Sequence, residues 1–220
     1  MRVWDVAAGA CEAVLAGHTD WVSALAVLAD GRLATGGGIR MRLWDVPSRT
    51  CVAVLDHGAG VWSLAALPCG GLASGGTDGR IALWSAAGVR TATLGGGAGV
   101  GYVWSLAVLL DGRLAAGYGG GSNVVRVWDV PRRAVDAVIH GHTDCVYALA
   151  ALVDGRLLSG SRDRTLKVWD ERALSVRGGA DTDMCTATLV GHTRLVAALA
   201  ALPDRRVASG DWDGTVRVWQ

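Results

Sequence analysis

Short apolar runs separated by glycine- and aspartate-rich breaks dominate the chain. Runs such as Val22–Leu28 and Val146–Leu152 are too short for the usual helix, and Asp-Gly pairs such as Asp154-Gly155 cut between them. No 3.6-residue stripe is sustained and no strand–helix–strand alternation occurs. The pattern therefore predicts strands, many of them buried on both faces.

The strands recur in register. Six segments end in a β-rich run closed by tryptophan, at Trp4, Trp44, Trp84, Trp128, Trp169 and Trp219, with spacings of 40, 40, 44, 41 and 50 residues. Upstream of five of them the same series repeats, as in Asp144 to Leu152, then Asp154-Gly155-Arg156, then Leu157 to Asp163. Each period holds about four short strands, so an all-β repeat array is expected, forming a single domain over residues 1–220.

Composition narrows the function classes. The 220 residues are 51% hydrophobic and carry 21 Lys+Arg against 20 Asp+Glu, a net charge of +1. A soluble globular chain follows, without the basic excess that nucleic-acid phosphates or anionic lipid require. Thr91–Leu110 is uncharged for 20 residues, but its five glycines and the repeat register divide it between strands and a loop rather than a membrane span. Cys11, Cys51, Cys69, Cys145 and Cys185 are isolated and odd in number. They suggest neither a disulfide framework nor a zinc cluster, and with no apolar leader at the N-terminus a cytoplasmic or nuclear location is expected.

Gly-His, then about 25 residues, then Trp-Asp, at spacings near 40, resembles the WD40 family of β-propellers over essentially the whole chain. The resemblance implies blades of four antiparallel strands, a to d from the centre outwards, each tied by a hydrogen-bonded His, Ser or Thr, Asp and Trp. On this basis the fourth repeat has His142, Ser159, Asp163 and Trp169, and the fifth has His192, Ser209, Asp213 and Trp219. The second has His57, Ser74, Asp78 and Trp84, with Asp56 in place of the usual glycine. The first keeps His18, Thr35 and Trp44 but lacks the turn aspartate and is one residue shorter there. In the third, Gly99 and Ala116 replace His and Ser and only Trp128 remains, so blade three is expected to be the softest.

No catalytic residue is expected. His, Ser and Asp have the types of a nucleophilic triad, yet their recurrence in several repeats marks a structural network, because an active site is needed only once. The segments Gly95–Gly101 and Gly117–Gly121 lack GxxxxGK[ST] and GxGxxG and read as enlarged loops. His140 and His142 are too few for a metal site, and no cofactor is expected. Cys11, Cys51 and Cys185 each precede the same d-strand motif and read as buried structural fillers.

The informative residues are aromatics that the repeat does not require. Trp21, Trp62, Tyr102, Trp104, Tyr147 and Trp212, with Arg162, all map by register to the rim where strand a begins and the b–c turn lies. Tyr118 maps to the lengthened b–c turn of blade three. Trp, Tyr and Arg on a rigid rim are binding hot-spot types. The expected function is a non-enzymatic scaffold binding a protein or peptide there, with Arg162 placed for an acidic or phosphorylated group. A nucleic-acid binder using stacked aromatics is the alternative, weakened by the neutral charge.

Strand counting leaves the ring incomplete. The chain supplies strands c and d of one blade, four complete sets, and then a, b and c, which is one strand more than a five-bladed ring uses and too few for six. About five blades are expected, as a segment of a longer propeller or one completed by another chain. An insertion at Ala173–Asp183 is expected to loop on the opposite face.

Overall fold

A computed structural model describes residues 1–96, 99–170, 184–203 and 206–220. Its described elements are all strands, and every pairing is antiparallel. Strands β1 (Arg2–Asp5) and β2 (Ala10–Val14) form a hairpin. Blade one contains β3 (Ala24–Val27), β4 (Leu33–Gly37), β5 (Arg40–Asp45) and β6 (Thr50–Asp56). Blade two contains β7 (Val61–Ala66), β8 (Leu72–Gly76), β9 (Arg80–Trp84) and β10 (Arg90–Gly95). Blade three follows with β11 (Tyr102–Val108), β12 (Leu114–Gly119), β13 (Val125–Asp129) and β14 (Ala134–Ile139). Blade four has β15 (Val146–Ala151), β16 (Arg156–Ser161), β17 (Thr165–Asp170) and β18 (Cys185–Val190). The last sheet has three strands, β19 (Val196–Ala201), β20 (Val207–Asp211) and β21 (Val216–Trp219).

Sheet order follows chain order in every blade, so each is a meander of hairpins turning on residues such as Gly31, Gly70, Gly112 and Gly155, all at positive φ. The uncharged stretch Thr91–Leu110 divides between β10 and β11. No helix is long and apolar enough to cross a membrane among the described residues.

Neighbouring blades lock through a valine and a glycine. A Cβ built on Gly36, Gly75, Gly117 or Gly160 of strand b would lie 2.7, 2.4, 2.8 or 2.7 Å from Cγ1 of Val61, Val103, Val146 or Val196 in the next blade's strand a. Only glycine admits the valine, and all four valines are buried. The glycines of this segment in blade three, Gly117 and Gly119, thus belong to β12 rather than to a loop, because the adjoining strand packs on them.

The two ends of this series are unfilled. Val22, which holds the register of Val61, is 37% exposed, and a Cβ on Gly210 would meet only Ala198 of its own sheet at 3.9 Å. Among the described residues β1–β2 and β19–β21 remain separate sheets, so no strand pairing closes a ring. The sequence-predicted insertion at Ala173–Asp183 lies outside the described residues, as do 97–98 within the first glycine-rich segment.

Candidate functional site

In four of the five blades the internal scaffold is a hydrogen-bonded relay. In blade four, Trp169 Nε1 donates to Ser159 Oγ at 2.8 Å, Ser159 Oγ is 2.7 Å from His142 Nε2, and His142 Nδ1 is 2.7 Å from Asp163. With the serine proton on the Nε2 side, Nδ1–H donates to the carboxylate, so every buried polar atom of the relay is used. Burial alone would raise the Asp163 carboxyl, but His142 and Thr165 together hold it well below the usual carboxylate range. In blade one, Thr35 Oγ1 takes the serine's place, 2.7 Å from His18 Nε2 and 2.8 Å from Trp44 Nε1.

Blades two and five vary the theme. His57 reaches Ser74 through Nδ1 at 2.8 Å, Trp84 Nε1 donates to the same oxygen at 2.9 Å, and Asp78 stands 3.6 Å from Nε2. Burial, the largest influence, lowers the His57 pKa against the pull of Asp78. In blade five, Ser209 bonds both His192 and Trp219 as predicted, but the carboxylate at His192 Nδ1 is Asp211, at 2.8 Å, not Asp213. Asp211 is two residues from Ser209 on strand β20 and so shares its face, whereas blade four has the short Ser161 there and uses the turn residue. Asp213 instead accepts hydrogen bonds from Thr193 and the Thr215 backbone.

Blade three replaces the relay with a ring. Tyr118, expected in the b–c turn, is instead part of β12 and fully buried. Two residues beyond Ala116, it holds the register of Gly76, where an added Cβ would meet His57 Nε2 at 2.4 Å. The tyrosine thus occupies the volume that the imidazole fills elsewhere, against Val100, Val124 and Trp128, with the Arg126 guanidinium 5.1 Å from its ring centre. Burial pushes its pKa up to about 12. Neither Tyr118 Oη nor Trp128 Nε1 has a hydrogen-bond partner among the described residues. Blade three therefore keeps its volume but loses its polar connections.

The aromatic residues of the inner strands come together through β-bulges. Pairing runs Val61↔Gly76 then Ser63↔Gly75, Val103↔Tyr118 then Ser105↔Gly117, and Val146↔Ser161 then Ala148↔Gly160. Trp62, Trp104 and Tyr147 are the residues left over, and a bulge re-aims such a side chain off the regular alternation. Their rings meet across blades, with centroids 4.9 Å apart for Trp62–Trp104 and 4.6 Å for Trp104–Tyr147. Tyr102 adds an edge contact to Trp104 at 5.7 Å. The corresponding residues in the flanking blades are small, Ser23 and Ala197, so the tier spans three blades.

The other expected rim residues do not join this tier. Trp21 is 83% exposed and lines, with Trp62, Ser23 and Thr77, a cavity of about 200 Å³. Trp212 is 73% exposed and makes no ring contact among the described residues, and Arg162 pairs with Asp144 at 3.8 Å. Sequence register could place the bulge residues at one edge, but it carried no signal that they are bulges. Cys11 and Cys51, expected to be buried, are exposed because strand d faces solvent, and their thiols donate to Ala13 O and Ala53 O. Among the described residues no group of three or more potential metal ligands occurs.

Meandering sheets locked side by side, four of them pinned by an indole–hydroxyl–imidazole relay, define a protein built of propeller-type blades. The family model described as WD domain, G-beta repeat matches residues 9–45, 49–85, 135–170 and 183–220, more than half of the sequence. The chain belongs to the WD-repeat family, whose repeats generally mediate protein–protein interaction as non-enzymatic scaffolds. The matched residues pass over 86–134, which hold β10 of blade two and β11 to β13 of blade three with its tyrosine in place of the relay. No curated protein matches the chain.

Proposed function

We propose that the chain is a non-enzymatic scaffold that holds a peptide or protein segment across the tier Trp62, Trp104, Tyr102 and Tyr147, with Trp21 and its cavity at one end. The observation that carries this reading is the ring-to-ring contact of bulge residues from three successive blades. Rings fixed by one another and by the strands beneath lose little freedom on binding, so their area converts efficiently into affinity. Trp212 and Arg162, which hold the same register position in blades five and four, would engage a longer partner. A cytoplasmic or nuclear location, resting on isolated cysteines, belongs to the same proposal.

Replacing Trp62 and Trp104 together by Leu keeps apolar bulk while removing the flat faces. Immobilised wild-type chain and this variant are compared for protein capture by mass spectrometry, with thermal unfolding monitored in parallel. Partners retained by the wild type and by Trp212→Ala should be lost from the double variant. Equal capture by a folded double variant would remove the tier from the function.

A further inference from the structure

Blade one lacks one member of the relay, and the space beside its histidine is open. His18 is oriented as His142 is, with Nε2 on the hydroxyl and Nδ1 turned the other way. In blades four and five that Nδ1 meets a carboxylate at 2.7 and 2.8 Å, and in blade four the same carboxylate also accepts from the backbone of Thr143 at 3.1 Å. In blade one the turn between β4 and β5 is formed by Gly38 and Ile39 and offers no acid. Among the described residues no carboxylate lies within ion-pair distance of His18.

A cavity of about 240 Å³ opens there, bounded by His18, Thr19, Asp20, Ile39, Arg40 and Arg42. Thr19 stands where Thr143 stands in blade four. Arg40 and Arg42 both line the same space. Arg42 is anchored by its Nη2 on Gly17 O at 2.8 Å and by its Nη1 on Cys51 Sγ at 3.6 Å, while its buried Nε has no partner among the described residues. Asp20 is the single acid on the wall, and it lies against Gly38. Burial and then Arg42 lower the His18 pKa, while Asp20 is the weakest influence on it. A neutral ring with the hydroxyl on Nε2 presents Nδ1–H as a donor.

We infer that this cavity is a carboxylate-binding site, in which an Asp or Glu side chain of a bound peptide supplies to His18, Arg40 and Arg42 the acid that blades four and five carry within their own sheets. Charge-assisted bonds from two guanidiniums and an imidazole N–H suit a planar monoanion. The site shares Asp20 with the Trp21–Trp62 cavity, yet it stands independently of the aromatic tier.

The test follows histidine side-chain nitrogen resonances during titration with N-acetylglutamate α-amide at pH 7.5. The His18 signals should shift saturably while those of His142 stay fixed, and the glutamine analogue should bind at least about tenfold more weakly, reflecting the lost charge. Arg40→Gln should weaken the response about threefold or more. Ile39→Asp, which places an acid on the cavity wall, should abolish it, with the Trp44 indole signal reporting an intact blade. The Trp62/Trp104 double Leu variant should respond as the wild type does, so failure of the docking proposal and failure of this one are distinguishable. An unmoved His18, an equal response to the glutamine analogue, or tighter binding of inorganic phosphate than of the carboxylate would each overturn the assignment.

Discussion

Ser159→Ala measures what the relay contributes. Its oxygen, fully buried, receives the Trp169 N–H at 2.8 Å and bonds His142 Nε2 at 2.7 Å. Alanine leaves two buried polar atoms without a partner at about 1–3 kcal/mol each, for a combined loss of roughly 2–6 kcal/mol, to which the small void left by one oxygen adds little. Ser159→Thr should stay within about 1 kcal/mol of the wild type, because Thr35 already performs the same bonding in blade one. Urea unfolding gives the total change. Hydrogen exchange of β15 to β17 against the other blades shows where it falls, since repeats in a series need not open together. An alanine cost under about 1 kcal/mol, the scale of an ordinary surface change, would refute the view that the relay holds the blade.

Blade three supplies the reverse case: Tyr118→Phe removes a buried hydroxyl without a partner and should leave stability unchanged or raised, whereas Tyr118→Ala should cost about 3–5 kcal/mol by emptying the ring's volume, both read from urea midpoints. Gly160→Ala should destabilise by about 1–3 kcal/mol because its Cβ would lie 2.7 Å from Val196, while Gly210→Ala, with nothing nearer than 3.9 Å, should be neutral or slightly stabilising by calorimetry. Acid should weaken the fold in two stages. The folded pKa values of His57 and His18 lie below the unfolded value, so the unfolded chain takes the proton first and stability falls as pH drops from about 6.5; His57→Asn should diminish that stage in urea midpoints and leave the part due to His18. Asp163, held low in the folded state, contributes stability above about pH 4 that is lost on further acidification, and Asp163→Asn should diminish this second stage.

Much of the architecture was legible because each repeat encodes its own sheet. The distance from His142 to Ser159 to Trp169 is set by strand and turn lengths within one period, so like residues recur at like spacing and their meeting can be read off the chain. The same locality exposed the missing aspartate of blade one and the missing His and Ser of blade three. Substitutions within that frame were harder to read. Asp211 displaces Asp213 because it shares the strand face of Ser209, and Tyr118 turns inward because no histidine competes for the space. Both outcomes depend on which neighbour leaves volume free, which spacing does not record.

By itself the sequence determined the blade, since the period, the strands, the turn residues and the bonding partners all lie within one stretch of about forty residues. Tertiary structure alone decided what happens between blades. The glycine that admits the next valine, the bulges that bring Trp62, Trp104 and Tyr147 into one tier, and the open space beside His18 arise from surfaces packed at fixed distance. Close packing lets a single side chain more or less move a ring or open a cavity, and that sensitivity resides in the volumes rather than in the repeat pattern.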